Sequence, residues 1–473
     1  MFAYQQKGEQ KGIGATMHFI QYGGKNIIVD CGIGFERTGE INNKVIPAGN
    51  FLKETRIDLI IITHSHVDHV GAVPRLVAEH PEALVFISDS AYDIAEVMLN
   101  DSLKIYKSES RNLQNVSVSG ETYEMLFDEK DLDNFLNSDQ VVVIPIHRES
   151  YCEELGWGWK IGFYSAGHTT GAVMVMFSAP GERPLLVTGD TASHDQEIIP
   201  GIMIPPDEFI NGLFDNHDAI MIMEGTNGNR MPQFTRKQMK TRLVELVQEV
   251  RNRGGITFLP TYAQTKSSNM ALALIEAGII PHIDGLARKL APLEIPNFQQ
   301  LVDSGKLVLI EDGEKGDYHR QMLMRGEDPC GHECSPIISP SASLDMGRAV
   351  SYAEKILPNP KNALIFTGYM FPGSTAKQIL EIERGRTVVL SVFKNGMTQK
   401  VPVNVRCDVH HFDFTSHDYS DALVERVRLV QPRDVIIHHC EKASFNALAT
   451  KIGALDNPPR VHWGRHEKEI RLK

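Results

Sequence analysis

Within six residues, His64-Ser65-His66-Val67-Asp68-His69 supplies three imidazoles and a carboxylate. Imidazole nitrogen and carboxylate oxygen are the usual ligands of zinc. One short turn cannot aim all four groups at a single ion, so the spacing predicts two adjacent divalent cations. Such ions lower the pKa of a bound water from about 15.7 to roughly 7 and polarise a neighbouring oxygen, which is the chemistry of hydrolysis.

These groups need a frame that holds them. Residues 59–62 form an apolar run too short for a helix and read as a buried strand ending at Thr63-His64. That places the cluster on the loop at the strand's C-terminal end. Residues 17–22 and 26–30, separated by Gly23-Gly24, predict a hairpin with Asp30 at its end. Residues 141–146, 159–164, 173–177, 185–187 and 219–223 read as further strands, 71–80 as a helix start and 89–136 as charged helix.

The pattern changes after Glu224. Residues 234–253 predict a basic amphipathic helix stopped by Gly254-Gly255. Strand-like runs at 256–259, 307–310 and 363–367 alternate with helical stretches at 269–277 and 349–356, which predicts parallel βα units. Residues 401–405, His410-His411, 422–430 and 435–437 return to the first pattern. The simplest organisation is an α/β domain inserted into a β-rich one, without internal repeats.

Composition agrees with a globular chain: 473 residues, 42% apolar and 23% charged, enough for two or three domains and unlike a disordered protein. The net charge of −12 does not point to nucleic acid, but it is unevenly spread. Residues 227–408 carry 23 Lys/Arg against 18 Asp/Glu, and the remainder 25 against 42. Arg236, Lys237, Lys240, Arg242, Arg251 and Arg253 concentrate on one helix, either a phosphate-attracting face or an ordinary solvated one. Tyr262, Tyr369 and Phe371 read as core aromatics ahead of base-stacking ones. No apolar run reaches the roughly 18 residues of a membrane span, and the polar start carries no leader pattern. Six cysteines make no disulfide framework in so long a chain, so a cytoplasmic location is expected. Cys330-Gly331-His332-Glu333-Cys334 offers part of a zinc site without an evident fourth ligand and reads as reduced loop cysteines.

The H-x-H-x-D-H spacing resembles that of the metallo-β-lactamase superfamily. Asp30 in Val29-Asp30-Cys31-Gly32, His168 in Ala166-Gly167-His168-Thr169 and Asp190 in Thr188-Gly189-Asp190-Thr191 are similar to its orienting carboxylate, third histidine and bridging aspartate. The candidate final ligand, His439, comes 249 residues after Asp190, and the α/β insertion fills that gap. This arrangement resembles the β-CASP nucleases, which include ribonuclease J-like enzymes and the endonuclease of the cleavage and polyadenylation specificity factor. Glu224 in Met223-Glu224-Gly225-Thr226 looks like motif A, and His417 in Phe414-Thr415-Ser416-His417 like motif B. Ile437-His438-His439-Cys440 looks like motif C. Neighbouring strand residues face opposite ways, so one of His438 and His439 should bind metal; the family pattern selects His439. Thr367-Gly368-Tyr369 with Gly373-Ser374, and Ser339-Pro340 with Gly347, match further motifs. Departures are Cys440 for a glycine, Asn227 for a tyrosine, Ser341-Ala342-Ser343 for a Gly-Met pair and Lys266 for an arginine. They touch substrate contacts more than metal ligands.

The resemblance implies an αββα sandwich built from residues 1–226 and 409–473, with a β-CASP insertion at 227–408. It implies two zinc ions per chain: His64, His66 and His168 on the first, Asp68, His69 and His439 on the second, Asp190 bridging and Asp30 orienting. His417 would be the general acid, held by Glu224, with Asp68 also counted among the catalytic groups. Lys266, Ser341, Thr367, Tyr369, Gly373 and Ser374 would touch substrate. The implied activity is hydrolysis of RNA, with DNA possible, in a cleft between the domains, by endonucleolytic or 5′–3′ exonucleolytic attack. No membrane is involved; a homodimer or an RNA-processing partner would assist capture. The alternatives are a hydrolase of small esters, thioesters or lactones, and a non-catalytic RNA-processing scaffold. The complete ligand set argues against the scaffold.

Overall fold

The computed structural model describes residues 2–8, 12–35, 44–45, 55–114, 126–146, 150–202, 218–327, 335–394, 397–466 and 468–473. The Cys330, His332 and Cys334 group lies outside them. The chain divides into two compact units. Met1–Asp195, Ile199–Met231 and Ser416–Lys473 form the first, and Gln196–Ile198 with Pro232–Thr415 the second.

The first unit contains two seven-stranded sheets. One runs in the order Glu469–Leu472, Phe2–Gln6, His18–Tyr22, Lys25–Val29, Leu59–Ile62, Leu84–Ser88, Val141–Ile144. The other runs Arg460–Trp463, Asp434–His438, Ile220–Glu224, Leu185–Val187, Val173–Ser178, Trp159–Ser165, Ser150–Leu155. All four residues of Leu59–Ile62 are buried because both faces of their sheet are covered. Leu59 and Ile61 pack with Phe163, Val175, Val187, Ile222 and Ile436 between the sheets. Ile60 and Ile62 pack outward with Leu99 and Leu103 of helix Asp89–Gln114. On the far side, Met221, Met223, Val435 and Ile437 pack with Leu423 and Val427 of Ser420–Val430 and Leu448 and Ile452 of Lys442–Gly453. The result is an αββα sandwich.

Lys25–Val29, Leu59–Ile62 and Leu84–Ser88 are parallel, as are Leu185–Val187, Ile220–Glu224 and Asp434–His438. Their C-terminal ends are where Asp30, His64, Asp190, Glu224 and His439 stand, the usual ligand-binding edge of parallel sheets.

Some expectations change. The helix read over 89–136 is two helices, Asp89–Gln114 and Glu129–Asn137. The second has its own start, a capping box in which Asp131 N donates to Asp128 Oδ1 (3.0 Å) and Asp128 N to Asp131 Oδ2 (3.2 Å). The polar opening holds the strand Phe2–Gln6, which lies between two partners in the sheet. Residues 401–405 do not rejoin the first pattern; Met397–Asn404 pairs with Thr387–Lys394 as a hairpin in the second unit. Asp408–His411 pairs with Ala363–Phe366, also in that unit. Strand alternation reports one covered face but not which sheet supplies the cover.

The second unit carries a six-stranded parallel sheet in the order Val308–Leu309, His282–Ile283, Ile337–Pro340, Thr257–Thr261, Ala363–Phe366, Asp408–His411. Helix Arg236–Asn252 begins at a Thr235–Gln238 capping box and buries Met239, Leu243, Leu246, Val247 and Val250. Its cations largely meet carboxylates: Arg236 with Glu197, Lys240 with Glu276, Arg242 with Glu245 and Glu249, and Arg253 with Asp408. The basic stripe is therefore substantially neutralised within its own unit. No helix among the described residues is long and apolar enough to cross a membrane.

At the end of His282–Ile283, Asp284 is fully buried and receives Arg320 Nε and Nη2 (both 2.8 Å), Arg348 Nη1 (3.1 Å) and Tyr352 Oη (2.8 Å). Burial opposes its charge, but Arg320 outweighs burial and holds the carboxyl below the usual range. Asp284→Asn should cost about 1–3 kcal/mol at pH 7, because it removes the buried charge that half-buried Arg320 and Arg348 and the Tyr352 hydroxyl all bond. Since the folded pKa lies below the unfolded value of about 3.9, the carboxylate stabilises the fold above that pH. That contribution is lost as pH falls through the folded value. The denaturation midpoints of wild type and variant should therefore converge on acidification; a gap unchanged down to pH 3 would contradict the assignment.

Candidate metal centre

The first unit brings His64, His66, Asp68, His69, His168, Asp190 and His439 together, with Glu224 and His417 beside them. Asp190 stands at the centre. Its Oδ2 faces Nε2 of His64 (3.8 Å), His69 (3.3 Å) and His168 (3.8 Å), and its Oδ1 faces His439 Nδ1 (3.5 Å). Ligand atoms of His64, His66 and His168 lie within 4.8 Å of one another, as do those of Asp68, His69 and His439.

Hydrogen bonds fix the imidazole tautomers. Asp30, at φ +61° just past its strand, accepts His69 Nδ1–H on Oδ2 (2.7 Å), which turns His69 Nε2 toward Asp190. The same carboxylate accepts Thr63 N and Thr63 Oγ1, both at 2.7 Å. Thr63 Oγ1, having donated to Asp30, accepts from His64 Nδ1 (3.0 Å) and leaves His64 Nε2 bare. His168 Nδ1 donates to the Ser416 carbonyl (2.6 Å). Thr226 Oγ1 donates to the His439 carbonyl (3.2 Å) and so accepts from its Nδ1 (3.0 Å), which turns Nε2 toward Asp68 Oδ2 (3.5 Å). A left-handed turn at His439, φ +50°, swings this residue into the cluster. Its neighbour His438 ends the strand, fully buried, with its ring edge-on to His18 at 4.2 Å.

Electrostatics favours coordination. Burial keeps His64 and His168 well below the usual imidazole range and lowers His66 to about 4, so these rings are neutral, the form a metal binds. His69 is the exception: burial opposes its charge, but Asp190 and then Asp30 outweigh burial and raise it. His64 Nε2, His69 Nε2 and Asp190 Oδ1 are buried without a hydrogen-bond partner. Each would otherwise cost about 1–3 kcal/mol. A nitrogen-rich set with shared carboxylates and orphaned, converging lone pairs fits a pair of divalent ions. Removing Asp30 should loosen the centre through His69: Asp30→Ala should lower metal affinity about 10–100-fold, measured by titration against a fluorescent chelator. Unchanged affinity would show that Asp30 orients nothing.

His417 is 21% exposed; its Nδ1 lies 2.9 Å from Glu224 Oε2, and its ring centroid is 4.5 Å from that of His168. Burial opposes the imidazolium, and Glu224 outweighs it, so the His417 pKa is raised. Glu224 is lowered in turn, His417 overcoming its burial.

Other sequence candidates sit in the second unit. Lys266 is buried with its ammonium on the Phe414 carbonyl, and burial and Arg236 bring it down to about 7. Ser341 Oγ meets Ser343 Oγ at 3.1 Å, and Thr367 is buried. Ser374 caps helix Thr375–Glu381 after Gly373, which takes φ +77°. Tyr369 and Phe371 are not core residues: they are 47% and 38% exposed, edge to face at 5.2 Å. They follow strand Ala363–Phe366, and Tyr262 Oη pins the Tyr369 carbonyl at 2.9 Å. The sequence reading missed Thr63, Thr226 and Ser416. The first two are hydroxyls beside strand ends, a weak signal; Ser416 acts through its carbonyl and leaves none.

An αββα sandwich with a histidine–aspartate cluster at its strand ends defines a metal-dependent hydrolase. Family models agree. Residues 12–220 match the metallo-beta-lactamase superfamily, 224–379 the Beta-Casp domain, and 402–461 a Zn-dependent metallo-hydrolase RNA specificity domain. The chain belongs to the β-CASP branch of the metallo-β-lactamase superfamily. It is similar to the probable RNase MJ4 of Methanocaldococcus jannaschii, with 23% identity covering 94% of this chain and 98% of that protein. Ribonuclease TTHA0252 of Thermus thermophilus is 24% identical over 91% of each. Cleavage and polyadenylation specificity factor 73 of Drosophila melanogaster is 25% identical over 93% of this chain, which spans 60% of that longer protein. A crystal structure of an Enterococcus faecalis V583 protein of unknown function shares the fold, with TM-score 0.57 and 12% identity over 100% of this chain and 99% of that one.

Proposed function

We propose that this chain is a zinc-dependent ribonuclease that hydrolyses RNA phosphodiester bonds. The observation that carries the reading is the His417–Glu224 pair beside the metal cluster, a proton donor placed where a leaving group needs one. The names of the relatives and the RNA specificity model support RNA as the substrate. We assign His64, His66 and His168 to one zinc, Asp68, His69 and His439 to the other, and Asp190 to both. Asp30 orients His69. We take the second unit, Pro232–Thr415, as the β-CASP insertion: the expected bounds of 227–408 move because strand Asp408–His411 pairs with Ala363–Phe366.

The chemistry left to the protein is protonation. Water adds to phosphorus, its proton passing to solvent, and the P–O3′ bond breaks. The imidazolium of His417, anchored through Nδ1 to Glu224, gives its Nε2 proton to the departing oxygen. A 3′-hydroxyl and a 5′-phosphate result, and His417 regains its proton from solvent. Cys31 and Cys407 are buried thiols, which suits a cytoplasmic enzyme. A homodimer or a processing partner would assist RNA capture.

One RNA carrying 5′ and internal labels, digested with and without chelator beside a matched DNA, tests the reading. Chelator-sensitive RNA cleavage is expected, and the released label separates endonucleolytic from 5′–3′ action. Faster turnover of DNA, a thioester or a lactone would replace RNA as the substrate.

A further inference from the structure

Behind the His417–Glu224 pair lies a polar network that the reaction scheme does not use. Arg426, on helix Ser420–Val430, is 6% exposed. Its Nη1 donates to Thr191 Oγ1 (2.7 Å), and its Nη2 to Ser193 Oγ (3.2 Å) and to Asp418 Oδ2. Asp418, 1% exposed, also accepts Ser193 N on Oδ1 (2.6 Å) and Ser193 Oγ on Oδ2 (3.1 Å). The Asp418 backbone N–H donates to the Thr191 carbonyl (2.8 Å). Thr191 N donates to Glu224 Oε1 at 2.7 Å, and its hydroxyl to the same oxygen at 3.2 Å.

The directions of these bonds are consistent. The Thr191 hydroxyl accepts from Arg426, so its one proton is committed to Glu224 Oε1. With Oε1 occupied by Thr191 from two sides, Oε2 is presented to His417 Nδ1. Arg426 also ties residues 191–193, which follow Asp190, to Asp418, which follows His417. A buried guanidinium and carboxylate are costly unless their bonds are well made. Here each contributes more than one.

We infer that Arg426 and Asp418, acting through Thr191, are positioning residues that hold Glu224 and thereby the His417 ring in its proton-donating orientation. The inference rests on the ribonuclease reading above. It makes the segment from Asp190 to Ser193 a shared support: one end supplies the central carboxylate, and the other aligns the proton donor.

The least disruptive test is Thr191→Val, which removes the relayed hydroxyl at nearly constant volume. Thr191→Ser restores it, and Arg426→Met breaks the network further back. Each protein is assayed as the zinc-loaded full chain on a single-stranded RNA and on bis(4-nitrophenyl) phosphate. The leaving group of the latter departs without a proton, so it does not need His417. In Thr191→Val the RNA-to-activated-ester ratio of turnover numbers should fall at least about tenfold, with KM for RNA within about threefold. Thr191→Ser should return the ratio to within about threefold of wild type. Arg426→Met, if folded, should match Thr191→Val. An unchanged ratio in Thr191→Val, or equal losses on both substrates, would overturn the inference while leaving the ribonuclease reading standing. A zinc-loaded wild type that cleaves the activated ester but not RNA would overturn that reading, and this inference with it.

Discussion

Replacing His417 by alanine should lower RNA cleavage at least about 100-fold while the metal content of the purified protein stays unchanged. The geometry makes the two effects separable. His417 Nδ1 is committed to Glu224 at 2.9 Å, and its ring lies against His168, whose own Nδ1 is tied to the Ser416 carbonyl rather than to His417. The groups assigned to the two ions keep their supports in the variant. His64 retains Thr63, His69 retains Asp30, and His439 retains Thr226. The loss should therefore fall on proton delivery to the leaving oxygen. Elemental analysis beside a single-turnover cleavage assay checks it. Zinc and activity lost together would make His417 a ligand, an arrangement its closeness to His168 and Asp190 makes worth excluding.

Chelation should abolish cleavage and also weaken the fold. Without an ion, the buried Nε2 atoms of His64 and His69 and the Oδ1 of Asp190 have no partner, and the site gathers five imidazoles around buried carboxylates. A ligand present at 100 times its dissociation constant stabilises the native state by about 2.7 kcal/mol. For a unit of this size, that is roughly 4–5 °C in melting temperature for each ion. Melting with chelator, and again after adding back zinc, should show that drop and its recovery together with loss and return of cleavage. Zinc is the expected best restorer, given the nitrogen-rich donors. An unchanged melting temperature with persistent cleavage would remove the metal from both the fold and the reaction.

What was legible in the sequence was local. Six consecutive residues carry four of the candidate ligands, and the apolar run before them fixes their place at a strand end. Asp30, Asp190 and Glu224 likewise announce themselves by ending short apolar runs. Alternation and run length are set by neighbours along the chain, so such signals survive without knowledge of the fold. They gave an α/β domain inserted into a β-rich one; the αββα class came from the motif resemblance.

Long-range packing decided the rest. The His417–Glu224 bond joins residues 193 positions apart, and Thr226 meets His439 across 213. No local pattern encodes such pairs. Strand alternation alone separates His438 from His439 without saying which enters the site; the left-handed turn at His439, and the His18 ring that occupies His438, select between them. The basic helix of the second unit looked free in sequence, yet most of its cations find carboxylates supplied by other segments or by later turns. Tyr369 and Phe371 looked like core because aromatic side chains usually are, but they lie on a loop beyond a strand end and remain exposed. The sequence by itself determined which groups could bind metal and on which strand ends they stand. Only the tertiary structure decided which nitrogen each imidazole offers, because that depends on the partner of the other nitrogen: Asp30 for His69, Ser416 for His168 and Thr226 for His439 are far away in sequence, and Thr63, next to His64, takes its role from Asp30.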